Sequence, residues 1–99
     1  MMELHVCDRK GELLRAFAIG DSSEIIIGRD EHCDVRIRST SISREHCAVE
    51  PEGTGLILRD LDSKAGTLMD GRRITRVEVR DGLQVTVGPA VLKFLDGEI

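Results

Sequence analysis

The sequence predicts an all-β domain, an antiparallel β-sandwich of about ten to eleven short strands. Short apolar stretches recur between turn signals at a spacing of roughly 8–12 residues, as in sandwiches and barrels. No segment sustains a helical apolar period beyond a turn or two. The chain of 99 residues has two Phe and neither Trp nor Tyr, so its core is expected to be aliphatic. Val and Ile suit pleated, half-buried surfaces. At this length a single domain spanning 1–99 is expected.

Leu4 and Val6 alternate with Glu3 and His5 in a first strand, ended by Asp8-Arg9-Lys10-Gly11. Residues 13–19 read as a second strand, and 13–18 is the one stretch where a helix stays open. Residues 24–28, with Ile25-Ile26-Ile27 at their centre, form a third, and 35–37 a brief fourth. Residues 46–50 follow, closed by Pro51-Glu52-Gly53-Thr54-Gly55. Strands at 55–60, 67–69, 72–74, 83–88 and 91–95 complete the set. Asp70-Gly71 is a strong hairpin signal, because a type I′ turn needs positive φ at both central positions. Asp81-Gly82 offers a second turn, and Gly88-Pro89 separates the last two strands.

A net charge of −4 and a pI near 5.3 argue against a global polyanion binder. Without Trp and Tyr there is no platform for stacking bases, so no nucleic-acid partner is expected. A local anion site remains open, since a Debye length of roughly 8 Å lets a few arginines act alone. Three cysteines without paired spacing suit a reducing compartment. Neither a signal peptide nor an apolar run long enough to cross a bilayer is visible. A cytoplasmic monomer with no membrane partner is the expectation.

The chemistry-bearing residues fall in loops, where a rigid sandwich carries its binding groups. Gly28-Arg29 ends the third strand, Ser43-Arg44-Glu45-His46 follows, and then Asp60-Leu61-Asp62-Ser63-Lys64-Ala65-Gly66-Thr67. Arg29 has two readings: a surface arginine paired with Asp30 or Asp34, or a permanently charged fork that grips an anion with several acceptor oxygens. Ser43 beside His46 invites a nucleophile and base, but no elbow sequence surrounds the serine. A spacing of three in extended chain also sends the two side chains to opposite faces unless the chain turns. His32-Cys33, His46-Cys47 and Cys7 match no structural-zinc spacing, so no metal is expected. Cys47 is expected to be a small buried apolar residue. No cofactor is expected either, as no Gly-rich nucleotide fingerprint occurs.

The order and spacing of these motifs, over residues 24–95, resemble the forkhead-associated (FHA) domain, which binds phosphothreonine peptides. The resemblance implies a SMAD/FHA-like sandwich and a non-enzymatic adaptor in Ser/Thr kinase signalling, taking phosphothreonine proteins in trans. It implies that Arg29 holds the phosphate, that the Ser43 hydroxyl donates to it, and that Arg44 and Lys64 add charge. Gly28, His46, Gly66 and Thr67 would shape the loops, with His46 a buttress hydrogen-bonded to backbone in its own loop. The family's usual residue before this glycine is asparagine, which bonds the ligand's main chain; here it is Ala65. That departure favours an alternative, a scaffold that keeps the sandwich and no longer reads phosphate. The retained Arg29, Ser43 and Arg44 oppose it.

Overall fold

Alternation along the first strand sets the pattern: Leu4 and Val6 are buried while Glu3 and His5 stay half-buried. In a computed structural model, residues 1–20 and 23–97 are described. Eleven strands follow in chain order: β1 (Met2–Asp8), β2 (Leu13–Ile19), β3 (Ile25–Gly28), β4 (Val35–Arg36), β5 (Cys47–Glu52), β6 (Gly55–Asp60), β7 (Leu68–Met69), β8 (Arg72–Arg73), β9 (Arg76–Glu78), β10 (Gln84–Val87) and β11 (Ala90–Asp96). They form a six-stranded sheet ordered β2-β1-β11-β10-β7-β8 and a five-stranded sheet ordered β4-β3-β5-β6-β9. Between them lies the expected aliphatic core, with Leu4, Ile27, Leu58 and Leu92 packed around the fully buried Phe94. Among the described residues no helix is long and apolar enough to cross a membrane.

The turns place the site. Asp70 and Gly71 have φ of 52° and 80°, the two positive values that a type I′ hairpin requires. They pair Leu68 with Arg73 and Met69 with Arg72. At Asp81-Gly82 only Gly82 has positive φ, and the Leu83 N–H bonds the Arg80 carbonyl. That turn carries the chain from one sheet to the other. Gly88-Pro89 joins β10 and β11 as a tight hairpin, with Val87 opposite Ala90.

Residues 13–19 are the expected strand, since their period-two pairing with β1 leaves no room for a helix. Three expectations are revised. The strand β9 was not expected: Arg76-Val77-Glu78 carries a single apolar residue, and its pairing with β6 fixes it. β3 and β4 pair in parallel, Ile27 beside Val35, so the sandwich is not antiparallel throughout. The chain after Arg29 loops over and returns in the same direction. β5 runs on to Glu52 through Pro51, which lies beyond the reach of β3 and owes that neighbour no N–H.

Candidate functional site

Gly28 brings the first two loops together. A Cβ on it would lie 2.1 Å from the Arg44 carbonyl oxygen, so only glycine lets the two backbones approach. The Arg29 N–H then bonds the Ser43 carbonyl (3.0 Å), and the Asp30 N–H the Arg44 carbonyl (3.1 Å). Arg29 Nε donates to the Ile42 carbonyl at 3.0 Å, which tethers the guanidinium, and its two terminal nitrogens make no hydrogen bond among the described residues. Arg29 forms no ion pair among the described residues. Asp30 is occupied by His32 and Asp34 by the Ile26 N–H, so the structural reading of Arg29 does not hold.

The Ser43 hydroxyl accepts the Lys64 N–H at 2.9 Å. Its oxygen is thereby tethered to the third loop, and its own hydrogen is left to donate. His46 is fully buried. Its Nδ1 accepts the Ser43 N–H (3.2 Å), so its Nε2 carries the proton donated to the Gly66 carbonyl (2.9 Å). The chain does turn between Ser43 and His46, but the imidazole takes the amide and not the hydroxyl. With both nitrogens engaged, His46 has no free position for a base or a metal. It is a buttress, and it braces the third loop as well as its own.

Thr67 is buried and donates to Asp60 Oδ1 at 2.7 Å. Ser63 completes that knot: its hydroxyl reaches Asp60 Oδ1 (2.6 Å) and accepts the Gly66 N–H (3.0 Å). Burial would lift the Asp60 pKa, yet these bonds from Ser63 and Thr67 hold it below the ordinary carboxylate range. Asp60 and Ser63 stood in the third-loop motif with no role given to either, although Asp and Ser are both residues whose side chains close turns onto nearby backbone. Gly66, at φ +88°, lies under Arg73, whose guanidinium donates to the Ser63 carbonyl at 2.8 Å. No local signal marks Arg73, because a hairpin delivers it.

Arg29, Ser43, Arg44, Lys64 and Ala65 all line one open concavity of about 640 Å³. Thr40, Ser41 and Ile42 line it too, and the sequence reading had missed them. No carboxylate is among the lining residues. A tethered fork, a free hydroxyl hydrogen and two further cations suit an anion with several acceptor oxygens. The cysteines stand apart from it. All three are free and buried, and burial pushes the Cys47 thiol up to about 12, which removes nucleophilic character. Cys33 donates Sγ–H to the Arg44 carbonyl at 3.0 Å. Exposed His32 bridges Asp30 and Glu45 at 2.9 and 2.7 Å, so the His-Cys pairs do not converge.

The FHA domain family model matches residues 25–88, and the chain belongs to that family. It is 36% identical over 73 residues to the ABC transporter ATP-binding/permease protein Rv1747 of Mycobacterium tuberculosis, covering 74% of this chain and 8% of that protein. Mouse proliferation marker protein Ki-67 is 30% identical over 76 residues, with 76% of this chain and 2% of the relative covered. The chain therefore spans a small part of either relative. The Rv1747 FHA-1 structure superposes with a TM-score of 0.75 at 30% identity, covering 98% of each chain. A structure from an analysis of phosphothreonine-dependent FHA domain interactions reaches 0.83 at 23% identity, covering 99% of this chain and 98% of that one.

Proposed function

We propose that this domain is a phosphothreonine-binding module that docks proteins phosphorylated by Ser/Thr kinases, acting as an adaptor and not as a catalyst. The observation that carries it is that Arg29, held by the Ile42 carbonyl, and Ser43 line one concavity whose lining includes no carboxylate. Charge-assisted bonds of this kind contribute roughly 1.5–3 kcal/mol each. An unphosphorylated peptide would leave both groups without partners. Arg44 and Lys64 add positive potential, while Gly28, His46, Gly66 and Thr67 hold the three loops in register. Exposed Ala65 gives the concavity an apolar surface for the threonine methyl, worth roughly 0.8 kcal/mol or about fourfold over phosphoserine.

Family membership supports this reading, as do Arg29, Arg44 and Lys64, which pair with no carboxylate among the described residues and which a scaffold indifferent to phosphate has no need to keep. Free buried cysteines fit a reducing compartment, so we place the domain in the cytoplasm. Calorimetry with matched phosphothreonine, phosphoserine and unphosphorylated peptides tests the proposal. Binding in that order, with loss of phosphothreonine binding in Arg29→Ala, is expected. Equal affinity for phosphorylated and unphosphorylated peptides would overturn it.

A further inference from the structure

Among the described residues the two sheets have four edges, and these are not alike. β8 (Arg72-Arg73), β4 (Val35-Arg36) and β9 (Arg76-Val77-Glu78) are two or three residues long, and each carries arginine. Short, charged edges of this kind offer little template for another strand. β2 is the fourth edge and runs for seven residues, Leu13-Leu14-Arg15-Ala16-Phe17-Ala18-Ile19. Six of the seven are apolar, yet only Ile19 is buried; Phe17 is half-buried and the others are exposed. With β1 on one side only, alternate N–H and C=O groups of β2 face away from the sheet.

The usual protections of an open edge are missing from the middle of this strand. Its one bulge leaves Leu14 unpaired near the strand's start, and from residue 15 to residue 19 the register with β1 is unbroken. Its one charge is drawn away from the edge. Arg15 stands opposite core-facing Val6, lies over the Phe17 ring at 5.4 Å, and donates to the Arg36 carbonyl on the other sheet. No proline, lysine or carboxylate occurs within Leu13–Ile19.

We propose that β2 pairs with β2 of a second copy of this chain, antiparallel about a two-fold axis at Ala16, joining two six-stranded sheets into one. The strand's own sequence selects this occupant. Ala16 is its midpoint, so this register pairs all seven residues. Ala16 then meets Ala16 of the second copy, Arg15 faces Phe17, Leu14 faces Ala18, and Leu13 faces Ile19. Each facing pair joins apolar to apolar or a cation to an aromatic ring, and like charges do not meet. A two-fold contact is closed and uses up both β2 edges, so this pairing stops at two copies. It replaces the monomer expected from the sequence, which does not reveal that β2 is an edge. None of the residues lining the phosphate concavity belongs to β2, so the pairing does not rest on the phosphothreonine reading.

Sedimentation equilibrium of the whole chain, at concentrations up to about 1 mM, tests it. The apparent mass should rise with concentration from 10.9 kDa toward twice that value. Ala16→Lys and Ala16→Glu, at an exposed position, each set like charges face to face on the axis and should weaken association about tenfold or more. Mixed in equal amounts, the two variants should recover association, because Lys then faces Glu. Recovery also shows that both variants are folded. A parent that stays at 10.9 kDa throughout overturns the proposal. So does association that survives both single substitutions, or a mixture that fails to restore it.

Discussion

Arg59 on β6 and Arg29 at the end of β3 carry the same fork into different company. Arg59 lies diagonally across the β5–β6 ladder from Glu50, and its Nε and Nη2 reach that carboxylate at 2.9 and 3.3 Å. Glu24 adds a third contact at 3.5 Å. Arg76 pairs with Glu52, and Arg80 pairs with Glu78 at 2.6 Å. Pairing with nearby carboxylates thus neutralises these three arginines. Arg29 and Arg36, by contrast, are held by backbone carbonyls and pair with no carboxylate among the described residues. A cation anchored through carbonyls keeps its charge for a partner, whereas one anchored through carboxylates has already used it. Net charge of −4 hides this division entirely.

The comparison breaks most easily at its two arginines. Arg29→Ala is expected to cost about a hundredfold or more in phosphothreonine-peptide affinity, from two lost charge-assisted bonds, with little change in stability. Arg59→Ala should leave that affinity unchanged and barely move the urea midpoint, because the pair is exposed. Equal losses of affinity in the two variants would sink the distinction. Calorimetry and urea denaturation read both quantities.

The glycines draw the same contrast in the backbone. Gly28→Ala would press a Cβ into the Arg44 carbonyl and should cost about 2–3 kcal/mol in urea denaturation, as overpacking does. At Gly55 a Cβ meets nothing within 4 Å, so Gly55→Ala should be neutral or slightly stabilising. A tolerated Gly28→Ala would mean the first two loops are looser than their hydrogen bonds imply.

Ala65→Asn sharpens the comparison on the binding side. An amide at the rim of the concavity, as the family usually has, should tighten a phosphothreonine peptide about two- to tenfold. No gain would indicate that this domain holds its ligand's main chain elsewhere.

The smallest effect concerns pH. Hydrogen bonds to Glu45 and then Asp30 raise the His32 pKa above its ordinary 6.5. A raised folded-state pKa means that this bridge contributes fully below about 6.5 and is lost as pH rises through the folded value. An NMR titration of the His32 ring should show a midpoint above 6.5, falling toward it in Glu45→Gln. An ordinary midpoint in the parent would show that the bridge does not persist in solution.

Much of this domain was legible in its residues, and for a local reason. Period-two alternation and turn chemistry act over a few neighbours, so ten of the strands and the type I′ turn at Asp70-Gly71 could be read directly. Arg29, Ser43, Arg44, Lys64 and Ala65 were also legible as a set, because they stand at strand ends and in loops in a recognisable order. What tertiary structure alone decided involves partners far apart in the chain. His46 spans two loops through both ring nitrogens, Arg73 closes over Gly66 from a hairpin, and β9 exists by pairing with β6. The parallel β3–β4 pair joins residues closer in the chain, Ile27 and Val35, yet strand pairing and not local pattern sets it. Each depends on which backbone polar group finds which distant partner, a choice made when the sheets close and not by any residue's neighbours.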